Sequence, residues 1–250
     1  MFLETRSGYR MENGRFFLAD FRIHDRVKRQ RKILATLRES PKSSEYFRSW
    51  LSARTSENSS ANIFGRGWEV FEGEGIAKEK TVNLFLNSST DEFWGAGSEW
   101  ELEDWQDQYE AVDKTISALK RFDAGEYVLR LHPNLQNKNL TFVRSELRRI
   151  GDLKRKHPEL EIVSPLSKKN TYQLMRQSKR VIVALSTAGV EASGMGIPVW
   201  CTKPTTYDLI VDVRRIFSES DLNLANLSVY EVDETRAHDF LMACSEEGIG

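Results

Sequence analysis

The chain has no G-x-G-x-x-G turn, no cysteines or histidines at metal-ligand spacing, and no apolar run of membrane-spanning length. The missing glycine signature removes support for a dinucleotide fingerprint. Two cysteines, Cys201 and Cys244, are too few for a disulfide framework, and with four scattered histidines neither a zinc site nor any other metal or cofactor is expected. Charge of one sign is also lacking. Against 37 Asp+Glu there are 36 Lys+Arg, a net −1 in which nothing suggests a general nucleic-acid or membrane-surface binder. The opening MFLETRSGYRMENGR has no apolar centre, so no secretory signal is expected. The expected location is cytoplasmic, with a peripheral place at the inner membrane left open. What remains is an ordinary soluble composition, 40% hydrophobic and 29% charged over 250 residues.

Two regions differ in texture. Residues 1–78 mix basic runs, Ser/Asn-rich stretches and aromatics, and read as a helical linker or remnant of an N-terminal region. Val27, Ile33, Leu34 and Leu37 predict a helix over Asp25–Glu39 that Pro41 ends, and a second short helix spans Glu45–Arg54. The basic run RVKRQRK reads as a solvated helix face, with a patch for an anionic surface as the alternative. Residues 79–250 are regular. Strands are predicted at 81–87, 126–134, 160–165, 180–186 and 197–201, alternating with helices at 104–121, 140–157, 171–178 and 188–195. Near-continuous apolar strands alternating with helices predict an α/β, Rossmann-like parallel sheet covered by helices on both faces.

In such sheets ligands sit at the carboxyl ends of the strands. The loops expected there are SSTDE with Asp91 and Glu92, then His132-Pro133-Asn134, Ser164-Pro165-Leu166-Ser167, and Ser186-Thr187-Ala188-Gly189. A strand that stops on Ser186-Thr187 and turns into a helix offers hydroxyls, unpaired amides and a helix dipole, which suit a phosphate. Gly189 keeps that approach open, and Glu191, one turn in, can accept from a ribose diol. Equally, the same residues can serve only to cap the helix. His132 places an imidazole donor on the same edge. Trp94, Trp100 and Trp105 flank the SSTDE loop as a wall against which a sugar ligand could stack or, more often, as edge packing.

The segments FLNSSTDEF, WQDQYEAVDKTISALK, YVLRLHPN and NTYQLMRQSKRVIVALSTAGVEASGMGIPVW, in that order, resemble the capsule polysaccharide biosynthesis family. That is the C-terminal, donor-binding half of a GT-B glycosyltransferase, related to Kdo transferases and bacterial sialyltransferases. The resemblance implies a nucleotide-sugar donor (CMP-, UDP- or GDP-linked), a glycan or glycolipid acceptor, and transfer without a metal. It implies phosphate binding by His132, Ser186 and Thr187 and ribose binding by Glu191, with Tyr172 near the nucleobase, and it puts the family's catalytic base in the N-terminal domain; Asp91 and Glu92 either offer the acceptor a carboxylate or cap the helix that follows. The family's acceptor domain has no counterpart in residues 1–78, so the chain is read as a fragment, as a split product that pairs with a separate acceptor-domain subunit, or as a binding module, and it is expected to be silent on its own. A nucleotide-sugar epimerase, a polyol-phosphate transferase and a non-catalytic nucleotide-sugar-binding module share the architecture and stay open.

Overall fold

The computed structural model describes residues 9–12, 15–18, 33–35, 37, 41–55, 81–87, 105–122, 125–167 and 169–246. Strands β1 (Tyr9–Glu12) and β2 (Arg15–Leu18) form an antiparallel hairpin. Then come β3 (Val82–Leu86), β4 (Glu126–Arg130), β5 (Glu161–Val163), β6 (Ser178–Val183), β7 (Val199–Cys201) and β8 (Arg214–Arg215). These six make one wholly parallel sheet in the order β5-β4-β3-β6-β7-β8. Counted within the sheet, the order is 3-2-1-4-5-6, that of the doubly wound Rossmann fold.

Alternate residues of each strand feed two cores. Phe85, Leu129 and Ile182 point to one side, and Leu84, Leu86, Val128, Val181 and Val183 to the other. The strands therefore read as unbroken apolar runs rather than as alternating ones. Two further helices precede the next strands: α1 (Pro41–Thr55) and α2 (Gln108–Phe122). Along the rest of the chain lie α3 (Leu140–Lys156), α4 (Thr171–Gln177), α5 (Ala188–Gly194), α6 (Leu224–Leu227) and α7 (Glu234–Glu246). One face is covered by α2 and α3 through Ile116, Leu119, Ile150 and Leu153. The other is covered by α4, α5 and α7 through Met175, Val190, Ala237 and Phe240. Each such aliphatic or aromatic side chain contributes roughly 1.5–3 kcal/mol on burial.

Three helices start on side-chain caps at the carboxyl edge of the sheet. Asp107 Oδ1 accepts from the Tyr109 and Glu110 amides at 2.7 and 3.0 Å, and Asn139 Oδ1 from Phe142 N at 2.9 Å. Asn170 Oδ1 accepts from Tyr172 N at 2.8 Å. Such caps contribute about 1 kcal/mol each and fix where each loop gives way to helix.

Ahead of the sheet, the structure differs from the sequence expectation in two ways. Pro41 starts α1 instead of ending a helix, as suits a residue whose missing N–H would have been unpaired in a first turn. The β1–β2 hairpin was not expected, and most of the Asp25–Glu39 segment lies outside the described residues. Helix α1 packs on α7: the Phe47 ring stacks on His238 at 4.4 Å between centroids. His238 Nε2 donates to Gly194 O at 2.8 Å, and Nδ1 accepts from Ser44 Oγ at 3.0 Å, a pairing that suits the neutral ring. Gly194 is required here, because a Cβ would sit 2.5 Å from the Phe47 ring.

Among the described residues no helix is long and apolar enough to cross a membrane. Burial, aided by the Asp208 carboxylate, pushes the Cys201 thiol well above its ordinary range. Iodoacetamide should therefore alkylate the partly exposed Cys244 first and reach Cys201 only on unfolding. Equal labelling of both in the native chain, read by mass spectrometry, would contradict this packing of β7.

Candidate functional site

In the order 3-2-1-4-5-6 the chain switches direction between β3 and β6, the position at which open α/β sheets take a ligand. β3 pairs with β4 on one side and β6 on the other, with Leu86 level with Arg130 and with Val183. His132 lies two residues beyond Arg130, and Ser186 three beyond Val183. The two predicted motifs thus end the two strands that flank the central strand, about 10 Å apart at ordinary strand spacing. All three of His132, Ser186 and Thr187 are half-buried. Asp91, Glu92, Trp94 and Trp100, on the segment that follows β3, lie outside the described residues.

The local chain fixes the imidazole. After β4, Pro133 starts a 3-10 turn over Pro133–Asn137, and His132 is its cap. Nδ1 accepts from the Asn134 amide at 3.1 Å. In the neutral ring this puts the proton on Nε2, so Nε2 is the atom suited to donate to an anion.

The Ser186–Gly189 turn is built differently from the expectation of unpaired amides. Ala188 N donates to Ser186 Oγ at 3.2 Å, Gly189 N to Ser186 O at 3.2 Å, and Val190 N to Thr187 O at 3.0 Å. Tight bonds of the 3-10 kind have closed the first turn of α5. The hydroxyls remain suited to an anion: Ser186 Oγ accepts from Ala188 and keeps its proton to donate, and Thr187 makes no side-chain cap bond. Gly189 also has a role the sequence did not suggest. A Cβ there would lie 2.2 Å from the Tyr207 hydroxyl and 3.2 Å from Val183 Cγ2. Tyr207 props the turn from within the core, its hydroxyl donating to Ser186 O at 2.7 Å. Burial, with the Cys201 sulfur beside it, holds that phenol protonated.

Glu191 is 6% exposed within α5. Tyr172, 3% exposed, belongs to the core beneath α4, so its ring packs rather than lining an open edge. Trp105 is core too, its Nε1 donating to Ile216 O at 3.3 Å, which favours edge packing over a sugar wall at that position.

Arg130, unremarked in the sequence, is 6% exposed at the end of β4. One guanidinium nitrogen donates to Ser164 O and another to Ser167 O, tying β4 to the loop after β5. Its Nε has no hydrogen-bond partner among the described residues, and burial lowers its pKa. The arginine of Arg-Leu-His-Pro, two residues before His132 and so on the same strand face, was the available signal.

No protein-family model and no curated protein matches the chain. Among solved structures, it is similar to the Thermosulfurimonas dismutans KpsC beta Kdo 2,7 transferase, at 13% identity and a TM-score of 0.46, over 84% of this chain and 57% of that one. Similar values hold for the KpsC beta Kdo 2,4 transferase of that organism: 13% identity and a TM-score of 0.41, over 81% of this chain and 56% of that one. The chain thus spans somewhat over half the length of each.

Proposed function

We propose that the chain is the donor-binding half of a GT-B glycosyltransferase of capsule or surface polysaccharide assembly, using a nucleotide sugar. The observation that supports this most is the position of His132 and of Ser186-Thr187 on the two strands that flank the switch-point strand β3. His132 Nε2–H and the two hydroxyls donate to the donor's phosphate, and Glu191 accepts from the ribose. In the reaction an acceptor oxygen attacks the anomeric carbon. The bond from that carbon to the phosphate oxygen breaks, and the nucleotide leaves with the electron pair. Donors already aimed at that phosphate stabilise its growing charge. The acceptor proton passes to a carboxylate, with Asp91 and Glu92 as the candidates. A glycan or glycolipid acceptor is seated by a second half, supplied by another subunit or another part of a longer chain.

Calorimetric titration with CMP, UDP, GDP and their sugars tests the reading. One base should be preferred, and binding should survive EDTA. His132→Ala and Ser186→Ala should each weaken nucleotide binding by roughly 1.5–3 kcal/mol, the scale of a hydrogen bond to a charged group. Affinity for the free nucleoside should barely change. Equal losses for nucleoside and nucleotide would assign these residues to the fold instead, and no binding at millimolar nucleotide would end the proposal.

A further inference from the structure

Helix α3 presents a face that the other described residues do not use. Leu140, Arg144, Leu147, Arg148, Gly151 and Arg155 recur along it at helical spacing, within about 100° of arc. Leu140 is 73% exposed and Leu147 52%, and the three arginines between and after them are exposed as well. Glu146, Ile150 and Leu153, on the opposite side, are buried.

Other cations of this helix are engaged. Arg149 pairs with Asp107 at 2.5 Å and Lys156 with Asp113 at 2.5 Å, while Lys154 donates to the Pro158 and Leu160 carbonyls. Arg155 is bonded to Asp152. Arg144 and Arg148 have no hydrogen-bond or carboxylate partner among the described residues. A single exposed leucine needs no explanation. Two of them, interleaved on one stripe with arginines that have no partner among the described residues, combine the apolar and cationic groups that an anionic lipid interface takes up together.

We infer that this face docks on an anionic lipid surface, with Arg144 and Arg148 at headgroup phosphates and Leu140 and Leu147 in the acyl boundary. Charge complementarity selects an anionic partner, and the leucines select lipid over nucleic acid, against which they would gain nothing. The stripe begins eight residues after His132, at the carboxyl edge of the sheet, so docking holds the candidate site close to the membrane plane. The inference stands whether or not that site binds a nucleotide sugar.

Co-sedimentation of the full chain tests it, using vesicles of equal parts phosphatidylglycerol and phosphatidylcholine against phosphatidylcholine alone. The chain should bind only the anionic vesicles, and less as salt rises. Arg144→Gln and Arg148→Gln should each cut binding about five-fold, the share of one interfacial cation. Leu140→Ser with Leu147→Ser should also weaken binding and leave its salt dependence unchanged. All four positions are exposed, so circular dichroism should match the parent. Equal sedimentation with both vesicle types, or arginine variants that bind like the parent, would overturn the inference. So would loss with the arginine variants alone, which would mark a face for polyanions such as nucleic acid.

Discussion

Gly189→Ala is expected to destabilise the chain by about 3 kcal/mol, the upper end of what overpacking a tight core costs. The new methyl meets the Tyr207 hydroxyl at 2.2 Å, far inside contact distance. Tyr207 is fully enclosed, so the phenol has no room to retreat without losing its bond to Ser186 O. Tyr207→Phe alone should cost about 1 kcal/mol, one neutral hydrogen bond. In that background Gly189→Ala should cost less than half as much, because the next obstacle is the ring carbon Cζ at 3.1 Å. Urea midpoints for the four proteins close the double-mutant cycle. Strict additivity would mean that the phenol is not what Gly189 accommodates. Nucleotide titration of the double variant separates two roles for this glycine: it should bind if Gly189 makes room for Tyr207, and fail if Gly189 makes room for a phosphate.

Phe47→Ala should have the largest effect, about 3–5 kcal/mol, as for other buried aromatic truncations. The ring fills the space over Gly194 and stacks on His238, so its loss leaves a cavity between α1 and α7 that neither helix can close. Thermal unfolding should remain a single transition at a lower midpoint, because α1 shares a core with the α/β sheet. A variant that melts in two steps, or with an unchanged midpoint, would show that α1 is a detachable appendage.

How much of this was legible beforehand depended on the kind of signal. β3, β4, β5, β6 and β7 were readable because a strand buried on both faces must be apolar throughout, as in Val181–Leu185. β8 was not, since it is two arginines whose pairing is set by the neighbouring β7. The hairpin of Tyr9–Glu12 and Arg15–Leu18 is short and mixed in character, with too few residues for a period to emerge. At the site, the placement of His132 and Ser186 followed from strand ends alone. What Gly189 faces did not, because Tyr207 comes from a loop eighteen residues on, and no local pattern carries a contact across the sheet. The amides of α5 were misjudged for a similar reason. Whether a turn closes on itself or stays open is a matter of dihedral angles that Ser-Thr-Ala-Gly does not dictate.

The clasp between α1 and α7 also sets the order in which the chain can be made. Ser44 and His238 are separated by 194 residues, yet they bond across the same small core as Phe47. On a ribosome adding about 5–20 residues per second, α1 emerges roughly 10–40 s before its partner exists. Through that interval the Phe47 ring lacks His238, and the nascent chain carries an incompletely covered aromatic that chaperones can hold. Folding of the sheet can begin from the middle outward, but the clasp closes only when α7 leaves the tunnel.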